Sequence, residues 1–201
     1  MIPANDALAR LREGNRRFVE SHQGPPARPS ASQKPFAIVL GCSDARVPAE
    51  LVFGQGFGDL FVIRVAGNIV APSQVGSVEF AAELFSIRLA VVLGHTQCGA
   101  VTATLEALRQ PGNHVSPNLR AIVDRIRPAV EPLLATAEKS EADVLDAAVR
   151  ANVRASVQQL QHGSTLLEQR IERDGLLVVG AEYCLETGAV EFFDAAPTAG
   201  L

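Results

Sequence analysis

No stretch of this chain is apolar for long enough to cross a bilayer. The N-terminus carries Asp6 and Glu13 among its arginines, with no apolar core of signal-peptide length. These absences predict a soluble, unexported, cytoplasmic protein without membrane contact. Excess positive charge is lacking too: the formal net charge is -4, the pI is near 5.6, and the arginines are scattered rather than gathered on one stripe. Nucleic acid is therefore not expected as a partner. Cysteine is scarce, and Cys42, Cys98 and Cys184 are an odd number at wide spacing. That excludes a secreted disulfide framework and fits reduced thiols. Internal repeats and low-complexity segments are absent. What remains is 201 residues, 47% of them hydrophobic, enough for one substantial domain with a real core.

Apolar periodicity divides the chain. Residues 5–21 read as a helix, with Asn5 as N-cap and Leu8, Leu11 and Phe18 on one face. That face must be buried, on its own domain or across a neighbouring subunit. Four prolines between residues 24 and 35 make an irregular connector. Residues 36–40 are a continuous apolar run, the pattern of a parallel strand covered on both faces. A short helix over 49–53 is broken by Gly54, Gly56 and Gly58, and strands are predicted over 60–65 and 89–93 with a helix over 73–86 between them. A helix follows from Cys98 to Leu108. Further helices are predicted over 118–135, interrupted by Pro128 and Pro132, and over 141–161, with Val144, Leu145, Ala148, Asn152, Val153, Val157 and Leu160 on its apolar side. A fourth strand over 176–181 is joined by a turn at Glu186, Thr187 and Gly188 to an antiparallel partner over 189–194. The predicted fold is α/β: a central, mostly parallel sheet of four strands with an antiparallel fifth edge strand, flanked by helices. Residues 1–35 would be an N-terminal helical arm and Pro-rich connector, and 36–201 a single domain.

The chemistry-bearing residues cluster where strands end. Gly41, Cys42, Ser43, Asp44, Ala45 and Arg46 follow the first strand, and Gly94, His95, Thr96, Gln97, Cys98 and Gly99 follow the third. The carboxyl edge of a parallel sheet is where sites are built, so Cys42, His95 and Cys98 should share it. Two thiols and an imidazole are a zinc ligand set, and three protein ligands leave a fourth tetrahedral position open, the catalytic arrangement. A helix starting at Cys98 would favour its thiolate. Asp44 and Arg46, two apart, can form a bidentate pair in which Arg46 keeps Asp44 ionised and oriented toward metal-bound water. Because two thiolates neutralise the zinc charge, activity should rise on the alkaline side of neutrality. The competing interpretation is that both cysteines are small buried residues. Cys184 has no such company and reads as inert, while His22, His114 and His162 read as surface or packing histidines.

The two motifs, with supporting similarity from Gln33 through Val101, resemble the beta-class carbonic anhydrases. That resemblance implies a lyase with one Zn2+ per subunit on Cys42, His95 and Cys98. It also implies the catalytic dyad Asp44 and Arg46, and zinc-hydroxide-mediated reversible hydration of carbon dioxide to bicarbonate and a proton. It puts Gln33, Phe61, Ala66, Phe80 and Gly99 at substrate-pocket positions, where apolar walls suit a nonpolar gas. The site would lie at a subunit interface of a homodimer or homotetramer, with 36–201 as the catalytic domain.

This sequence departs from the family pattern in places. Phe80 stands where plant-like members often carry tyrosine, and Ala66 where valine is common. Val39 replaces the tryptophan of members with a noncatalytic bicarbonate site, although Arg64 and Tyr183 are near its other positions. Asp44 could also act as a gate by binding zinc itself. Three alternatives stay open: a same-fold zinc hydrolase of carbonyl sulfide or carbon disulfide, a non-catalytic zinc-stabilised module, and, weakly, a nucleotide-binding protein built on the glycines at 54–58. The last lacks a Walker lysine.

Overall fold

The computed structural model describes residues 2–21, 32–110, 116–135 and 140–193. It divides into two units, residues 1–33 and 34–201. The first contains α1 (Ala4–Ser21), which begins at Ala4, so Asn5 lies inside the first turn rather than capping it. Arg16 bonds Glu13 and Glu20 one turn to either side, which stabilises the exposed face. Leu8, Leu11 and Phe18 are exposed, Leu11 to 72%. Most of the proline-rich connector lies outside the described residues.

In the second unit a five-stranded sheet has the order β2-β1-β3-β4-β5. Its strands are β1 (Ala37–Gly41), β2 (Leu60–Arg64), β3 (Leu89–His95), β4 (Leu177–Tyr183) and β5 (Val190–Phe193). The first four run parallel, and β5 turns back antiparallel on β4 after Gly188, whose φ of +74° suits glycine. This is the architecture predicted from periodicity. Every residue of β1 is buried, as a central strand with both faces covered requires.

One face of the sheet, with Ile38, Leu40 and Val92, packs on α3 (Pro72–Leu84), α6 (Glu141–His162) and α7 (Thr165–Asp174). The opposite face, with Val39, Val91 and Leu93, packs on Val47 and on Ala49 of α2 (Ala49–Val52). A third cluster sits beyond the strand ends, where α4 (Gly99–Arg109), α5 (Pro117–Val130) and α6 bury Val101, Ile126 and Val149 together with Cys42 and Cys98. The two cysteines thus belong to a core of their own.

Two elements differ from expectation. α5 runs through Pro128 rather than breaking there, because Pro128 is exposed and the carbonyl it leaves unbonded can be solvated. The helix tightens to a 3-10 segment only at Glu131–Ala135, which contains Pro132. α7 was not anticipated from apolar spacing. Its signals are its ends: Ser164 accepts the Leu167 N–H, and Gly175 closes the helix in the left-handed conformation.

Candidate metal centre

β1 ends at Gly41, so Cys42 is the first residue beyond the sheet. Gly41 pairs with Leu93, and β3 continues to His95, which brings both residues to the same edge. Arg64, the last residue of β2, folds back over this loop. Its Nε donates to the Cys42 carbonyl at 2.9 Å and its Nη2 to the Asp44 carbonyl. Two backbone acceptors are thereby tied to one planar group, which holds the turn after β1.

Within that turn Arg46 grips both oxygens of Asp44, Nε on Oδ1 at 2.9 Å and Nη2 on Oδ2 at 2.8 Å, and its backbone N–H adds a third bond at 2.9 Å. These bonds hold the Asp44 carboxyl well below the usual carboxylate range, against the opposing effect of its partial burial. Asp44 is therefore a fixed anion, acceptor only. Its Oδ2 lies 3.8 Å from His95 Nε2.

His95 is fully buried. Its Nδ1 donates to the Thr96 carbonyl at 2.9 Å, which leaves the Nε2 lone pair facing inward. Thr96 is held in turn by the strand opposite, its N–H on the Tyr183 carbonyl and its Oγ1 accepting from the Leu185 N–H, both at 3.0 Å. Cys98 occupies the N-cap position of α4. The ligand atoms of Cys42, His95 and Cys98 all lie within 4.8 Å of one another, and all three residues are buried.

A cation fits this group on two physical grounds. His95 Nε2 has no hydrogen-bond partner among the described residues, and a buried nitrogen of that kind is costly unless something accepts its lone pair. The two thiols also cannot both ionise on their own. Cys42 is pushed down chiefly by a hydrogen bond from the Cys98 thiol and, against its burial, by the nearby His95 imidazole and the Gly67 N–H. Cys98 is pushed up by the proton it shares with Cys42, by burial and by the neighbouring negative charge; the N–H groups of Val101 and Ala100 oppose this and are outweighed. The N–H groups at the start of α4 thus act on Cys98 in the expected direction, but in the metal-free pair the proton shared with Cys42 outweighs them. Only a dication lets both become anions, and sulfur with imidazole is the donor set of zinc.

A family model described as carbonic anhydrase matches residues 37–190. The carbonic anhydrase of Mycolicibacterium smegmatis is 40% identical over 191 residues, 90% of this chain and 89% of that protein. Carbonic anhydrase 2 of Mycobacterium tuberculosis is 38% identical, over 89% of this chain and 87% of its own length. The chain belongs to the carbonic anhydrase family. Among solved structures, the beta-carbonic anhydrase CafA of Aspergillus fumigatus shares the fold at a TM-score of 0.79 and 27% identity, covering 96% of this chain and 91% of that one. The class is beta, as the two motifs implied. Beta-class carbonic anhydrases are zinc-dependent lyases, and Cys42, His95 and Cys98 are the residues positioned here to bind the metal.

Against this beta-class framework the remaining candidates separate into groups. Ala66 adjoins Gly67 in the 3-10 turn Ala66–Asn68, and Gly99 opens α4 beside Cys98 with free space where a side chain would be; both are next to the ligands. Phe61 and Phe80 are not brought there by the single chain. Phe61 pairs with Ile38, four residues before Cys42 and so about 13 Å along the strand. Phe80 lies 6.1 Å from it, ring to ring, and stays 52% exposed on α3. Gln33 is exposed in the first unit. Val39 is buried in the sheet, and Arg64 is engaged with backbone carbonyls. His162 is exposed at the end of α6, while His22 and His114 lie outside the described residues. Cys184 is not in the ligand group.

Periodicity and motif reading overlooked the residues that hold the ligands. Gly67 donates its N–H to Cys42 Sγ at 3.3 Å. Asn152 and Ser156 of α6 donate to the Gly67 and Asn68 carbonyls at 2.8 and 3.1 Å. The available signal was Asn152 itself, an amide on an otherwise apolar helical face.

Proposed function

We propose that this protein catalyses reversible hydration of carbon dioxide to bicarbonate and a proton, with zinc held by Cys42, His95 and Cys98. The observation that carries the reading is the convergence of those three ligand atoms within 4.8 Å around an imidazole nitrogen with no partner among the described residues. Zinc there supplies a Lewis acid able to bring the pKa of a water from about 15.7 down to about 7. The residues of the chain do the rest. Asp44, kept ionised by Arg46, can only accept a hydrogen bond, so it orients the attacking water and selects its deprotonated lone pair for the gas. Both Asp44 oxygens are held by Arg46, which keeps the carboxylate beside the ligand group rather than among it. The two thiolates reduce the charge on zinc, so turnover rises toward alkaline pH.

Gln33, Phe61, Ala66, Phe80 and the Gly99 amide complete the substrate pocket in this reading, with Phe61 and Phe80 contributed across a subunit interface. Exposed Leu51, Phe57, Phe80 and Leu84 supply the apolar surface of a homodimer, which could pair further into a tetramer. Residues 36–201 form the catalytic domain and residues 1–35 an arm. A reducing cytoplasmic setting suits the free thiols, and no described helix is long and apolar enough to cross a membrane.

Zinc analysis coupled to stopped-flow carbon dioxide hydration tests this reading. The wild-type protein should carry one zinc per chain and hydrate carbon dioxide faster as pH rises above neutrality, and Cys42→Ala should lose both metal and activity. Absent zinc, undiminished turnover in the variant, or a flat rate from mildly acidic to alkaline pH would overturn it. Hydrolysis of carbonyl sulfide without hydration of carbon dioxide would assign the same centre to the other substrate.

A further inference from the structure

The 3-10 turn Ala66–Asn68 is built in a way that its place between β2 and α3 does not require. Gly67 has a φ of +69° and Asn68 a φ of +43°, two consecutive residues in the left-handed region. A side chain on Gly67 would meet Ile126 Cδ1 at 2.8 Å and the Ala100 Cβ at 3.0 Å, so the turn is wedged between α4 and α5. Such a conformation persists only when its surroundings hold it. Asn68 is buried, and its Nδ2 has no partner among the described residues, so that donor does not supply the hold.

The hold comes from α6. Asn152 Nδ2 donates to the Gly67 carbonyl at 2.8 Å and Ser156 Oγ to the Asn68 carbonyl at 3.1 Å. The two residues are four apart and share one face of the helix. Both are almost fully buried, and they are the polar exceptions on a buried face made of Val144, Ala148, Val149, Val153, Val157 and Leu160. Satisfying two buried carbonyls explains part of this arrangement. It does not explain where the other side of the turn points, which is at the metal centre: the Gly67 N–H meets Cys42 Sγ at 3.3 Å.

We propose that Asn152 and Ser156 are positioning residues for the metal centre, fixing the turn so that the Gly67 N–H bears on the Cys42 sulfur. A thiolate that accepts an N–H bond keeps part of its charge for that bond and donates less to a metal. The relay therefore leaves the zinc a stronger Lewis acid than two unencumbered thiolates would. It affects catalysis only through zinc on Cys42, and so rests on the function proposed above. The N–H···S bond itself exists with or without metal.

Two readouts on the full-length protein test the relay. Amide hydrogen exchange at Gly67, normalised to the β3 core amides that report global opening, follows the bond in metal-free and zinc-loaded protein. The thiolate-to-metal charge-transfer band of the cobalt-substituted protein follows the charge on sulfur. In Asn152→Leu, Gly67 exchange should rise about tenfold, as for one lost net hydrogen bond, and the band should move to longer wavelength. Ser156→Ala should act in the same direction, and Ser156→Thr, which keeps the hydroxyl, should restore wild-type values. If Asn152→Leu and Ser156→Ala lower the melting temperature but leave Gly67 exchange and the band unchanged, the contacts are structural only and the proposal is overturned. Should Asn152→Leu fail to fold, the Ser156 pair decides. A wild-type chain that takes up neither zinc nor cobalt would sink the metal reading instead, and Gly67 exchange in the metal-free variants would still decide the relay.

Discussion

A carboxylate beside an arginine on an open surface contributes little, because water screens both charges. Asp44 differs because its side chain is only 17% exposed while Arg46 reaches it with two side-chain bonds and one from the backbone. Its pKa is depressed in the folded state, so the unfolded chain takes up a proton more readily on acidification. The stability that Asp44 contributes is therefore complete above the ordinary carboxylate pKa and is lost as pH falls through the depressed value. Asp44→Asn should be less stable than the metal-free wild type near neutral pH, and the gap should close in strong acid. Urea denaturation at both conditions measures it, and a gap that stays constant would contradict this account. In the zinc-loaded protein the same substitution should lower turnover on the order of 100-fold with zinc retained, since it removes the oriented acceptor and not a ligand.

The decisive element is the turn after β2. Gly67 is required twice, by its positive φ and by its contact with Ile126 and Ala100. Gly67→Ala should destabilise the protein by about 2–5 kcal/mol, combining backbone strain with overpacking. Adding Ile126→Val removes the atom that the new methyl would meet first, so part of the loss should return. Chemical denaturation of the two variants checks this, and no recovery in the double variant would mean that backbone strain alone accounts for the loss. α6 serves the site from the other side. Its Val153 packs so closely on β3 that a side chain at Gly94 would meet Val153 Cγ2 at 2.5 Å, so the helix that carries Asn152 is pressed against the strand that carries His95.

For the whole molecule, the metal ligands assemble within one chain, whereas the aromatic residues assigned to the pocket do not reach them there. Phe61 on β2, Phe80 on α3 and Phe85 just past the end of α3 form a cluster of rings about 6 Å apart, with Phe80 half exposed. A subunit interface over this cluster would bury it and close the site. Phe80→Asp should accordingly shift sedimentation toward the monomer and lose hydration activity in parallel, while zinc stays bound. A fully active monomer would contradict a shared site.

Much of this was legible in the order of residues because it depends on local patterns. Continuous apolar runs marked β1 and β3, their parallel pairing followed from the helical crossovers, and Cys42, His95 and Cys98 were readable because strand ends in a parallel sheet face one edge. Pro128 misled because the sequence does not show which side of α5 faces water, and α7 was missed because its signals lie in Ser164 and Gly175 rather than in its apolar spacing. Other features exist only once distant segments meet. That the two thiols do not both ionise without a cation depends on Cys42 and Cys98 sharing a proton in a buried space. The Gly67 N–H on sulfur and the Asn152 and Ser156 bonds join positions far apart in the chain. The residue types at Cys42, His95 and Cys98 determined which metal could be held, because donor chemistry belongs to the side chain itself. Tertiary structure decided how the ligands are charged and held, because burial and hydrogen bonding depend on neighbours that only folding supplies.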